Sequence, residues 1–329
     1  MASRRQRKRR TITIVIICAA IVFGTLMYYG IRDYVQQQDP GYGKIGKLQK
    51  DDDEDDLNVI EKDFTGKPLH CVTFDCGDAL SVLIDIGDTE VLYDTGYAET
   101  GDEISKKIGK YVDGSLDYLI LSHSHADHVG GTPAIARDYD IDKVITSGER
   151  DGSSGQYVAA EKALKEEGCV IEDDEDATID LGEGAVLSII DNLDPEDTEN
   201  PNDLSVIAHV KYGGSQILIT GDAEKDAERS LIGKFHDVSL LVAGHHMSSS
   251  SNTALLLQEW SPEYIFVSCK GKDSQYGFPH KAALQRSLDV TSQVYGTFKS
   301  GDLIYTTDGS ESSVNVDQDK ALTMEDIKK

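Results

Sequence analysis

Between residues 67 and 311 the chain is a succession of short apolar runs separated by polar breaks. Runs at 71–74, 82–86, 90–93, 118–122, 143–146, 185–190, 205–210, 216–220, 239–242, 264–268 and 293–297 are four to six residues long. That is strand length, and each is expected as a β-strand buried on at least one face. Helical spacing of apolar positions falls at 103–111, 155–167, 223–232, 253–260 and 281–288. The strands come in clusters, which fits sheets covered by helices better than the strict alternation of a doubly wound sheet or barrel. There is no tandem repeat and no GxGxxG or GxxxxGK[ST] stretch, so a nucleotide-cradling loop has no support.

One apolar stretch breaks the pattern. Residues 11–31 carry no charge, and as a helix they would reach roughly 32 Å, enough to cross a bilayer core. Arg4, Arg5, Arg7, Lys8, Arg9 and Arg10 precede them. This predicts a single-pass transmembrane helix acting as a signal anchor, with residues 1–10 cytoplasmic and the rest extracellular, at the cell membrane. A cleaved signal peptide fits less well, because the apolar run continues past Cys18, Ala19 and Ala20 to Met27, Tyr28 and Tyr29. Residues 32–66, with the acidic run at 51–56, read as a flexible acidic tether and 312–329 as a polar tail. The folded domain is therefore expected over 67–311.

Charge sharpens the division. The 329 residues carry a net charge of −27, but the first fifty hold +8, which leaves −35 on the remainder. A surface that acidic repels phosphate backbones at long range and disfavours long duplex DNA as a partner. Only five cysteines are present, so a disulfide-dense secreted scaffold is excluded. Cys71, Cys76, Cys169 and Cys269 lie beyond the anchor, none in a CxxC pair; buried thiols and disulfides are both open readings.

The chemistry concentrates at strand ends. Directly after the run at 118–122 comes His123-Ser-His125-Ala-Asp127-His128-Val-Gly130-Gly131, four potential ligands within six residues. On a loop at the end of a strand, imidazoles and carboxylates at this density can wrap zinc, manganese or iron. Two later segments repeat the arrangement. Asp222 follows Gly221 after the run at 216–220, and His245 and His246 follow Gly244 after the run at 239–242. Together they supply ligands for a second ion.

These motifs resemble the metallo-β-lactamase superfamily and, within it, the hydrolase domain of ComEC-type competence proteins, with some likeness to surface phosphorylcholine esterases. The resemblance covers roughly residues 69–309 and rests on Gly77-Asp78, Asp94-Thr95-Gly96, the HxHxDH segment, Asn202-Asp203, Gly221-Asp222, Gly244-His245-His246 and Tyr276-Gly-Phe-Pro-His280. It implies an αββα sandwich holding two divalent metal ions, zinc first, with manganese or iron as alternatives. Carried over by position, His123 and His125 would hold one ion, Asp127 and His128 the other, and Asp222 would bridge them. His245, or His246 in exchange with it, would complete the second site and Asp203 the first. His246 and His280 would face substrate, Asp127 and Asp222 would orient the attacking water, and Asp94 would orient ligands through hydrogen bonds.

The function so implied is a membrane-anchored phosphodiesterase or nuclease acting on a small or single-stranded phosphodiester. A phosphorylcholine-type esterase and a non-catalytic, metal-stabilised binding module are the rivals. For the anchor, protease shaving of intact cells is expected to release an active ectodomain; protection of that domain until lysis would refute the topology.

Overall fold

Alternation within the strands sends one set of side chains inward and the other outward. In β2 (Val82–Ile86), Val82, Ile84 and Ile86 enter the central core while Leu83 faces the opposite layer. In β10 (Ser215–Ile219), Ile217 and Ile219 enter the same central core and Leu218 faces away. Two sheets built in this way bury their inner faces against each other. The computed structural model describes residues 64, 66–148, 154–173, 176–190, 192–193, 198–317 and 320–327.

The first sheet has eight strands. Its order is β15 (Ser312–Val314), β14 (Leu303–Thr307), β1 (Leu69–Thr73), β2, β3 (Thr89–Tyr93), β4 (Ser115–Leu121), β5 (Asp140–Thr146) and β6 (Val170–Asp173). The second has seven, in the order β13 (Val294–Gly296), β12 (Tyr264–Val267), β11 (Leu240–Val242), β10, β9 (Ile207–Tyr212), β8 (Ala185–Ile190) and β7 (Ala177–Gly182). The earliest strand pairs with one of the last: β1 runs antiparallel to β14, with Leu69 opposite Thr307.

Helices cover both outer faces. On the first sheet, α1 (Gly101–Ile108), α3 (Thr132–Asp138) and α4 (Gly155–Glu167) place Ile104, Ile108, Ile135 and Leu164 over Leu83, Leu92 and Leu119. The short α2 (Ala126–Val129) lies between α1 and α3 in the chain. On the second sheet, α5 (Lys225–Ser230), α6 (Ala254–Trp260) and α7 (Lys281–Leu288) place Ala227, Leu257, Trp260 and Leu284 over Leu218, Leu241 and Ile265. A last single turn, α8 (Thr297–Ser300), precedes β14. The result is the expected αββα sandwich.

Parallel pairing decides where chemistry can gather. β3, β4 and β5 run parallel in one sheet, and β10 to β13 run parallel in the other. Loops leaving the carboxyl ends of parallel strands are the usual seat of a ligand site in open α/β sheets. Asp94 follows β3, His123 follows β4, Asp222 follows β10 and His245 follows β11.

Several expectations need correcting. The polar tail is part of the fold: β15 pairs with β14, and Val316, Leu322 and Ile327 are buried. Widely spaced apolar anchors, tied down by a Lys299–Asp326 ion pair at 3.1 Å, replace the periodicity that was missing there. Strands β6 and β7 lie outside the expected runs: both are mostly exposed, and charged or polar residues interrupt their apolar ones. The four described cysteines are all unpaired thiols, and burial pushes Cys71, Cys76 and Cys269 up to about 12. The cytoplasmic end, the signal anchor and all but a few residues of the tether lie outside the described residues. Among the described residues, no helix is long and apolar enough to cross a membrane.

One cross-strand pair makes stability depend on pH. Asp85 on β2 stands opposite Glu90 on β3, and like charges so placed destabilise a sheet. Desolvation raises both carboxyls, Asp85 to about 6 and Glu90 to about 7, with Asp117 adding to the rise at Glu90. Because the folded-state values lie above the unfolded ones, stability is greatest below about pH 4 for these groups and is lost as pH rises through 6 to 7. Glu90→Gln is therefore expected to stabilise the protein at pH 8 by up to ~1 kcal/mol after solvent screening. It should leave pH 4 stability unchanged, as read by urea denaturation at the two pH values.

Candidate metal centre

The centre forms where the carboxyl ends of β3, β4, β10 and β11 meet, and tight backbone contacts close it. Gly131, just beyond α2, packs so closely on the loop after β3 that a Cβ there would lie 2.1 Å from the Thr95 carbonyl oxygen. Gly221 holds a left-handed φ of 52°, and a Cβ would meet the Ser205 and Tyr93 hydroxyls at 2.8 Å. Only glycine allows these approaches. The loop after β11 is stranger: His245, His246 and Met247 hold φ of 50°, 50° and 64°, three consecutive left-handed non-glycine residues. Such strain persists only where surroundings enforce it. Here the Asn252 side chain brackets Gly244, accepting from its N–H at 3.0 Å and donating to its carbonyl at 2.8 Å, and Glu228 accepts from the Asn252 and Thr253 amides.

Four side chains converge in this corner. Asp127, His128, Asp222 and His246 each offer one ligand atom, all within 4.8 Å of one another. His128 Nε2 lies 3.2 Å from Asp222 Oδ1 and 3.8 Å from Asp127 Oδ2, and His246 Nε2 lies 3.4 Å from Asp127 Oδ2. Yet His128 Nε2, Asp222 Oδ1 and His246 Nε2 are all buried without an aligned hydrogen-bond partner. Buried polar atoms are normally satisfied. Three orphans aimed at one point, with a fourth carboxylate beside them, are the donor set of a divalent cation.

The outer ring nitrogens are spoken for, which fixes the inner ones. Asp94, at the end of β3 with φ 58°, accepts His128 Nδ1–H at 2.6 Å, the Ser122 hydroxyl at 2.7 Å and the Ser122 amide at 2.8 Å. His246 Nδ1–H donates to the Ser268 carbonyl at 3.0 Å. Both rings thus present Nε2 to the cluster, the arrangement by which a second layer of groups orients metal-binding imidazoles. Burial alone would lower His128 and His246. The carboxylates overcome it: Asp222, Asp94 and Asp127 hold His128 well above the usual histidine value, and Asp222 and Asp127 raise His246. Burial would likewise raise Asp222, but His128 and His246 hold it well below the carboxylate range. The carboxylates therefore favour positive charge in this corner, the condition a bound cation would meet.

The other anticipated residues divide. His123 and His125 lie beside the cluster, their facing nitrogens 3.0 Å apart and the His123 ring 4.2 Å from that of His128. Burial and the neighbouring His128 hold His123 well below the ordinary value. His245 and His246 exchange the places expected of them. His246 joins the four-residue cluster, whereas His245 sits at the rim with Nε2 3.6 Å from Asp222 Oδ2 and Nδ1 3.2 Å from Glu224. The left-handed turn causes the exchange by rotating the second imidazole, rather than the first, inward.

Asp203 is not near the four ligands' shared point. Its Oδ1 accepts from the Glu224 and Ala227 amides at 3.0 and 3.3 Å, capping α5, and its Oδ2 accepts from the Asn200 side chain at 3.1 Å. His280 is equally committed. Its Nδ1 accepts from the Ser249 amide at 2.9 Å, and its Nε2–H donates to the Tyr276 carbonyl at 3.1 Å. With both nitrogens engaged it braces two loops instead of facing substrate. Ser122 and Ser268, which orient the imidazoles, carry no mark in the sequence, since isolated serines are too common to signal.

Comparison with known proteins agrees with this arrangement. The family described as the metallo-beta-lactamase superfamily matches residues 74–271. The chain is 30% identical over 221 residues to competence protein ComA of Neisseria gonorrhoeae, covering 65% of this chain and 28% of that protein. It is 30% identical over 199 residues to ComE operon protein 3 of Bacillus subtilis, covering 58% of this chain and 24% of the relative. With recombination protein 2 of Haemophilus influenzae it shares 28% identity over 235 residues, 70% of this chain and 28% of the relative. The chain thus spans about a quarter of the length of these relatives. Among solved structures, the metallo-beta-lactamase fold protein YhfI of Bacillus subtilis superposes with a TM-score of 0.50 at 16% identity, covering 73% of this chain and all of that one.

The orienting role of Asp94 is directly testable. Asp94→Asn keeps a residue type that tolerates the left-handed backbone but removes the charge behind His128. Metal affinity, measured by competition with a chelator, is expected to fall about 10–100-fold. Asp222→Ala should abolish specific binding, whereas Asp203→Asn, acting on α5, should leave metal content unchanged.

Proposed function

The chain belongs to the metallo-β-lactamase superfamily, and on that premise we propose that it is a metal-dependent hydrolase of small or single-stranded phosphodiesters, carried by a membrane anchor and acting outside the cell. The observation that carries the reading is the convergence of three orphaned buried ligand atoms with the Asp127 carboxylate. Divalent ions bound there would lower the pKa of water and polarise a phosphoryl oxygen. In this reading His128, His246, Asp127 and Asp222 would hold an ion, and His123 and His125 beside them would serve a second.

The protein's own groups divide the remaining work. Asp94 and the Ser268 carbonyl keep the imidazole lone pairs aimed inward, so no reorganisation is needed when the charge of the reaction develops. Asp127 is the most exposed of the four, with 21% of its side chain accessible. It is therefore the carboxylate placed to orient the attacking water and accept its proton. His245, at the rim and held by Glu224, is placed to donate to the leaving oxygen. The phosphodiester class draws its support from two of the relatives, one named for competence and one for recombination. The −35 charge beyond residue 50 argues against long duplexes.

A parallel screen tests the reading. The metal-loaded protein is expected to turn over a bis-aryl phosphodiester and single-stranded DNA faster than a chromogenic cephalosporin or a thioester, with His123→Ala/His125→Ala as the contamination control. Activity on DNA should rise with moderate salt, which screens the acidic surface. Cephalosporin or thioester turnover exceeding every phosphodiester would overturn the substrate assignment.

A further inference from the structure

An aromatic ring stands beside the metal corner that the cluster itself does not use. Tyr276 leaves 53% of its surface exposed, although the loop that presents it is firmly held. Ser274 Oγ accepts the amides of Tyr276, Gly277 and Phe278 at 3.2, 3.0 and 3.1 Å. The inner face of Tyr276 stacks on Phe278, with centroids 5.6 Å apart and planes at 27°. Phe278 in turn lies 5.6 Å from the His246 ring. The stack therefore leads from solvent to a ligand of the cluster.

The opposite sheet meets the same ring. Tyr97, on the loop after β3, brings its hydroxyl close to that of Tyr276, and it lies within the field of Asp127. The Ser274 bonds and the Phe278 stack thus hold a solvent-facing aromatic in a fixed place one ring away from His246. A ring that only filled space would be turned inward. Fixing one with an open face, at the cost of exposed apolar area, suits a group that binds another planar surface.

We propose that Tyr276 is the stacking platform for a nucleobase, so that the site takes nucleoside phosphodiesters with the phosphate at the cluster and the base flat on the ring. This rests on the phosphodiester reading above and adds the identity of the group carried by the phosphate. A quaternary ammonium would need several ring faces around one point. Here one face of Tyr276 is covered by Phe278 and Tyr97 meets its hydroxyl. Lys270 packs over Gly77, and its amide donates to Asp78 Oδ1 at 2.9 Å. Asp78 is one of the charges that Tyr97 feels.

Calorimetric titration of the zinc-loaded full chain with thymidine 5′-monophosphate, phosphocholine and inorganic phosphate tests the proposal without relying on turnover. The nucleotide is expected to bind roughly 5- to 150-fold more tightly than phosphate, as base–aromatic stacking provides. Tyr276→Ala should erase that advantage and leave phosphate affinity unchanged, and Tyr276→Phe should retain it. Tyr276 is exposed, so an unchanged melting temperature for both variants guards against misfolding. Equal affinity for nucleotide and phosphate, an advantage that survives Tyr276→Ala, an advantage confined to phosphocholine, or no binding at all would each overturn the platform. A stacking advantage in a protein that hydrolyses no phosphodiester would leave the platform standing and remove the activity. Phosphodiester turnover with no stacking advantage would do the reverse.

Discussion

A desolvated knot of opposite charges governs this structure. Asp94, Asp222 and His128 are almost wholly buried, and His246 and most of Asp127 join them at a corner where two sheets end. Removing such groups from water is costly, and their mutual attraction repays it only when every partner is in place. A chain evolved for stability alone would do better with apolar side chains there. The knot is retained with three ligand atoms unpaired, so the architecture makes sense as a receptor for positive charge. The glycines at 131 and 221 and the left-handed turn at 245–247 exist to close that receptor.

The same electrostatics link the interior to the exterior. The net charge beyond residue 50 is strongly negative, yet the chemistry proposed needs an anion to approach. A bound cation reverses the local sign over a few ångströms, and screening by salt shortens the reach of the surface charge. On the proposed reading an acidic exterior would filter substrates by size: a single phosphate group would be drawn to the corner by a bound cation, while a long polyanion would have to cross the whole negative surface.

Much of the fold was legible because its signal is periodic and local. Runs such as 82–86 and 185–190 matched their strands, and the HxHxDH segment announced the site through density of ligand types. What the sequence hid is of two kinds. Edge strand β6 is only four residues and mostly exposed, β7 shows the core only Ile179 and Leu181, and β15 depends on pairing with β14. The other kind is directional. Choosing between His245 and His246 requires knowing that three non-glycine residues turn left-handed, which only the Asn252 and Glu228 braces enforce. Asp203 and His280 were credited with chemistry because acidic and imidazole side chains also serve as caps and braces, and residue type alone does not distinguish the uses. Asp94 was assigned correctly because its place after β3, in line with the other strand ends, left it little else to do.

The pairing of β1 with β14 has a consequence for how the protein is made. These strands lie more than two hundred residues apart in the chain, and β2 and β3 build outward from β1. During vectorial emergence, from a ribosome or through an export channel, β1 keeps one hydrogen-bonding edge open until residue 307 has cleared. The first sheet therefore completes only after nearly the whole polypeptide is out, and non-local pairing of this kind makes folding slow. Until then the charged corner, whose walls come from both sheets, is incomplete, and the ligands of the cluster come together only late in folding.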